Sequence, residues 1–207
     1  VQLATIIGLS ALTAVAAMPA FALDEAEMQK LADEAQACAD AGDLDCSFDG
    51  FTSIYIEAFR ADPEAACEGH EGPFGCGMTL GLLANDGLRI AQTASPERKL
   101  DIAERLLTLS DEMKPTDRPF ADIDFQSHLL GMEACLALKD HACAQDHAKH
   151  AVKLEDGYRP RFEDVAAEIV LPFRDPTNET DKDFEARVTA FKTRIATARE
   201  IAREVQQ

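Results

Sequence analysis

At 207 residues and 46% hydrophobic content, the chain can bury a substantial core and is too apolar for global disorder. Its 38 acids against 20 bases leave a net charge of −18, which excludes nucleic acid as a partner and opposes adhesion to anionic lipid. Aromatic residues make up only 6%, Trp is absent and Ala is abundant, a composition that favours closely packed helices over strands.

Residues 1–22, VQLATIIGLSALTAVAAMPAFA, carry no charge and close on Ala20-Phe21-Ala22, a small-x-small pattern, before the charged sequence that starts at Asp24. The segment reads as a secretory signal peptide, which predicts a periplasmic or secreted protein. The alternative is an uncleaved membrane anchor, because about 20 apolar residues can just span a bilayer. Either way it stands apart from the fold, and residues 23–207 are expected to form a single α-helical domain.

The next stretch is strongly acidic, with nine acids and one base (Lys30) between Asp24 and Gly50. A solvated surface that keeps an exported protein soluble is the plainer reading; a docking face for a cationic partner is the functional one. Within it, LDEAEMQKLADEAQACADAG has helical spacing at Met28, Leu31, Ala35 and Cys38. The pattern resumes after Gly42-Asp43 through Leu44, Phe48, Phe51, Ile54 and Phe59. Glycine readily ends a helix in the left-handed conformation and aspartate caps the next, so residues 24–60 are predicted to fold as an αα-hairpin. DLDCSFDG also invites comparison with a calcium loop, but Phe48 and Ile54 occupy the positions that need glycine and a bidentate glutamate. Asp43 and Asp45 are better explained as acids at a helix start.

Export permits disulfides, and the six cysteines are an even set. Of the many possible pairings, local spacing singles out Cys38–Cys46, Cys67–Cys76 and Cys135–Cys143. Positions equidistant from a hairpin turn face each other, as a bridge requires. Cys67 and Cys76 differ, because CEGHEGPFGC is a loop rich in glycine. Cys67, His70 and Cys76, with Met78, could instead bind copper or zinc, but the spacing matches no established zinc pattern. With all six cysteines paired, no thiolate remains for catalysis.

A second hairpin is predicted over 74–113. Leu80, Leu83, Gly87 and Ile90 set the first helical stripe, and Ser95-Pro96-Glu97 restarts a helix carried on by Leu100, Ala103, Leu106, Leu107 and Ser110. MKPTDRP then connects to a third hairpin over 120–156. Its expected buried positions are Ile123, Leu129, Leu130, Ala134, Ala137, Leu138, Ala144, Ala148, Ala151 and Leu154. His141, His147 and His150 cluster here. His147 and His150 have metal-compatible spacing, but only Asp146 stands near to complete a set, so exposed polar histidines are expected. A fourth hairpin over 160–207 would pair FEDVAAEIVLPF with the run from Asp181 to Gln207. The stripe Phe184, Val188, Phe191, Ile195, Ala198, Ile201 and Val205 is expected to pack on the preceding helices rather than form an oligomer seam. Asn178-Glu179-Thr180 forms a glycosylation sequon, relevant only in a host with that machinery.

GMEACLALKDHACAQDHAKHAVKLEDGY resembles a tetratricopeptide repeat, a helix–turn–helix unit of about 34 residues. In that register Lys139 and Asp140 form the turn, Ala144 and Ala151 take the small positions, and Asp156-Gly157 close the repeat. Cys38 and Cys46 fall at the same repeat positions as Cys135 and Cys143, and cysteine pairs of this spacing resemble those of the Sel1-like branch. The resemblance implies an all-α, irregular, disulfide-stapled array of hairpins that binds a protein or peptide. Its groove would be lined by first helices of the repeats, with Met132 and Glu133 as candidates by position.

No G-x-S-x-G, phosphate-cradling glycine loop, H-E-x-x-H or C-x-x-C motif is present, so neither catalysis nor a cofactor or resident metal is expected. The leading expectation is an exported scaffold or adaptor. The alternatives are an accessory subunit of a membrane complex anchored by residues 1–22, and a metal-handling or enzymatic role for the Cys67–His70–Cys76 loop.

Overall fold

The computed structural model describes residues 25–62, 66, 76–113, 121–169 and 180–203, with only the backbone at 25, 76–80, 113, 121–122 and 156–169. Every element among these residues is a helix: α1 (Glu25–Ala41), α2 (Leu44–Ala61), α3 (Cys76–Ala91), α4 (Pro96–Met113), α5 (Ala121–Ala137), α6 (His141–Ile169) and α7 (Asp181–Arg203). The expected signal segment 1–22, Cys67, His70, the side chains of Cys76 and Met78, and Asn178 and Glu179 of the sequon lie outside this description. No described helix is long and apolar enough to cross a membrane.

The chain divides into two compact units, the first comprising Val1–Ser95 and Glu104–Ile123, the second Pro96–Ala103 and Asp124–Gln207. In the first, α1 buries Met28, Ala32 and Ala35, a stripe of three- and four-residue steps, and packs against α2. Helix α2 buries Phe48 and Thr52, whose hydroxyl donates to the Phe48 carbonyl at 2.7 Å. Further along, Tyr55, Ile56, Ala58 and Phe59 join Ala66, Leu83 of α3 and Leu109 of α4 in one apolar cluster. Two arginines tie polar edges around it. Arg60 bridges Glu57 at 2.9 Å and Glu112 at 2.8 Å, and Arg105 donates to the Ser53 hydroxyl at 3.2 Å.

The second unit is built on the α5–α6 hairpin. Helix α5 is apolar on more than one side: Phe125, Leu129, Leu130, Met132, Ala134 and Cys135 are all buried. Ala144, Ala148 and Ala151 of α6 supply a smooth facing stripe, and Phe191 and Ala198 of α7 complete the core. The Phe125 and Phe191 rings meet edge to face at 6.0 Å. Thus α7 packs on preceding helices, as its stripe implies. Ala137, expected in the core, is exposed beside the turn.

The second unit departs from the expected hairpin boundaries. Helix α6 does not close at Asp156-Gly157 but runs from His141 to Ile169, through Gly157 and Pro160. Glycine lowers helix propensity by about 1 kcal/mol, and an interior proline, which removes a donor and crowds the carbonyl four residues back, costs about 3 kcal/mol, yet the helix continues through both. Among the described side chains, α7 packs through Phe191 and Ala198 on the α5–α6 core; the expected pairing with 162–173 falls outside the described side chains.

Candidate functional site

The hairpin turns are built alike. In the first, Gly42 has φ 76°; its N–H donates to the Ala39 carbonyl at 3.0 Å, and Asp43 N–H donates to the Cys38 carbonyl at 2.9 Å. In the second, Lys139 has φ 61°, donating to Leu136 at 3.0 Å, and Asp140 donates to Cys135 at 2.9 Å. Both sets are Schellman closures, which satisfy the orphan carbonyls of a helix end. Each aspartate then caps the following helix: Asp43 accepts from Cys46 N–H at 3.1 Å and Asp140 from Cys143 N–H at 3.0 Å. One aspartate therefore touches the backbone of both cysteines of its pair. The result is two pairs at disulfide distance, Cys38 with Cys46 and Cys135 with Cys143, each with Cα atoms 5.7 Å apart. No described cysteine is free. The Cys67–Cys76 pairing falls outside the described residues.

One turn beyond each bridge, a glycine lets the helices approach. A Cβ on Gly50 would lie 2.5 Å from the Ala35 Cβ, and one on Gly131 would lie 2.6 Å from the His147 ring. In the first hairpin the space admits only a methyl group. In the second it forms a slot for an imidazole.

That slot corrects the expectation that the histidines are exposed. His147 is buried at 8% exposure, its ring against Gly131. Its Nδ1 lies 3.0 Å from Nδ1 of His128, so one ring donates and the other accepts. The His128 ring stacks on His150 at 4.9 Å and 12°, and His150 Nδ1 donates to the Asp146 carbonyl at 2.9 Å. His150 is open to solvent, as is His141. His141 lines a cavity of about 220 Å³ with Leu136, Gln145 and Ile201. The sulfur atoms of Cys135 and Cys143 and a ring nitrogen of His147 all lie within 4.8 Å of one another. His128 had no motif to mark it. Yet the rule that pairs the cysteines, equal distance from the turn, also sets Gly131 opposite His147 and His128 opposite His150.

Of the candidates for a ligand groove, Met132 is buried and Glu133 is half-exposed but engaged by α7. Met132 has no exposed surface and packs in the same cluster as Phe191. Glu133 accepts a two-pronged contact from Arg194, Nε to Oε1 at 2.5 Å and Nη2 to Oε2 at 3.1 Å. Arg199 grips the buried Glu155 in the same way, with Nε to Oε2 at 2.9 Å and a second contact from Nη2 to Oε1. The face that would receive a peptide instead receives the chain's own helix.

The described fold is that of an all-α protein whose helical hairpins bring cysteines to disulfide distance across their turns. No family model, curated protein or solved structure matches the chain.

Proposed function

We propose that the protein is an exported scaffold, an irregular TPR/Sel1-like set of bridged hairpins, that binds a cationic protein or peptide segment through its N-terminal hairpin. The observation that carries this reading is the charge on the solvent side of α1 and the turn after it. Glu27, Asp33, Glu34, Asp40, Asp43 and Asp45 are all exposed. Local contacts hold some of these side chains in place: Gln29 donates to Asp33 at 2.8 Å and Gln36 to Asp40 at 2.8 Å. Lys30, the one base on α1, lies 3.7 Å from Glu34 and offsets little of the field. Because α7 occupies the Met132 face of α5, the binding role falls to the α1–α2 hairpin. A bridged hairpin loses little conformational entropy on binding, which favours affinity from a modest contact area.

The test is co-purification of the tagged full chain from the native cell envelope, with partners identified by mass spectrometry. It is repeated with Asp33→Asn, Glu34→Gln and Asp40→Asn combined. A basic partner whose recovery falls roughly tenfold in the neutralised variant and with added salt is the expected result. A partner retained equally by both proteins, or none from the wild type, removes the reading.

A further inference from the structure

The two hairpins share the cysteine pair, the Schellman closure and the aspartate cap, but only the second places a histidine beside its sulfurs. Gly50 stands in the first hairpin where His147 stands in the second, and Ala35 leaves it no space for a ring. The imidazole is therefore an addition to the bridged turn, not a requirement of it. Bridged, the sulfurs are bonded to each other. Reduced, they and His147 make a set of two thiolates and one imidazole, the donors preferred by Zn(II) and Cu(I). We propose that Cys135, Cys143 and His147 form a redox-gated site for a thiophilic cation, occupied when the bridge is open and abolished when it closes.

The geometry needs little rearrangement. Two sulfurs on one zinc lie roughly 3.8 Å apart, given Zn–S bonds of about 2.3 Å in tetrahedral array. Cα atoms 5.7 Å apart reach that separation by rotating the cysteine side chains. The His147 ring is already fixed, buried against Gly131 with Nδ1 engaged by His128 at 3.0 Å. A ring nitrogen of His147 lies within 4.8 Å of both sulfurs, and His128 is the outer partner that holds the ring in place. Cys135 is fully buried while Cys143 is partly exposed, so the site is dry on one side and has an entry on the other.

Opening the bridge takes a dithiol reductant. Its two electrons and two protons pass to the Cys135 and Cys143 sulfurs, and the reductant leaves as its own disulfide. Metal binding then displaces both thiol protons as the thiolates coordinate.

The experiment uses the full chain, folded oxidised, then reduced and freed of reductant without oxygen. It is titrated with Zn(II), with Co(II) as a spectroscopic probe for thiolate coordination, and with Cu(I) against a chelator. Wild type is compared with His147→Gln and with Cys38→Ser/Cys46→Ser. Each protein is also examined with Cys67→Ser/Cys76→Ser, which removes the loop donors. The expected result is a cobalt–thiolate absorption band that survives loss of Cys38 and Cys46. His147→Gln should weaken affinity by more than tenfold, and His128→Gln should weaken it roughly tenfold while keeping the band. Equal affinity in wild type and His147→Gln overturns the proposal. So does equal binding by the oxidised protein, or a reduced wild type that loses helical circular dichroism and does not regain it with zinc.

Discussion

Lys139 holds the left-handed conformation that Gly42 holds in the matching turn, with φ 61° against 76°. The geometry is imposed by the Schellman closure, because Lys139 N–H and Asp140 N–H must both reach back to α5 carbonyls. A side chain with a Cβ pays about 1 kcal/mol or more for that backbone, whereas glycine does not. Lys139 is exposed and its substitution removes no buried contact. Lys139→Gly is therefore expected to stabilise the protein by about 0.5–1 kcal/mol, the strain relieved less the added freedom of the unfolded chain. Urea unfolding should show the midpoint rise with an unchanged slope. A lower midpoint would mean that the left-handed lysine is not strained. The left-handed turn at Gly42 was legible in the sequence because glycine advertises it. At Lys139 it was hidden, since no residue preference signals a conformation that the surrounding hydrogen bonds enforce.

At the scale of elements, α7 is held by one apolar stripe and two arginine forks, and the forks are not equivalent. The Glu155 side chain is 7% exposed, whereas that of Glu133 is 37% exposed. Removing Arg199 strands a carboxylate away from water, which should cost about 3 kcal/mol. Removing Arg194 leaves Glu133 able to hydrate, so Arg194→Ala should cost about 1 kcal/mol or less. Equal losses in urea unfolding would show that burial of the acid does not decide the value of the fork. The core stripe of α7 could be read from its periodicity, and the cysteine pairs from their symmetry about a turn. Both are local patterns. The course of α6 through Gly157 and Pro160 could not be read that way, because breaker residues mark a cost rather than an outcome. The burial of His147 is hidden from the sequence for a related reason: its slot is made by Gly131, and a glycine carries no hydrophobic signal to announce a buried neighbour. The coverage of Met132 by α7 likewise depends on tertiary packing that a repeat-like sequence pattern does not contain.

For the whole molecule, charge is the dominant long-range term. Acids outnumber bases 38 to 20, and residues 1–22 contribute none of either, so their removal would leave the imbalance intact. Even if every base neutralised one acid, the excess would repel itself in the compact state. At about 0.01 M salt the screening length is about 30 Å, long enough for distant acids to interact; at about 0.15 M it falls to about 8 Å. The forks at Glu133 and Glu155 are partly shielded from water, so screening weakens them less than it weakens the diffuse repulsion. Stability should consequently rise as sodium chloride increases between these limits, seen as a higher thermal midpoint. The same screening should slow association with the cationic partner proposed for the α1–α2 hairpin, because the field that destabilises the fold would be the one that steers it in. A thermal midpoint that falls with salt would assign the larger electrostatic term to ion pairs, and would remove the excess-charge argument for a cationic ligand.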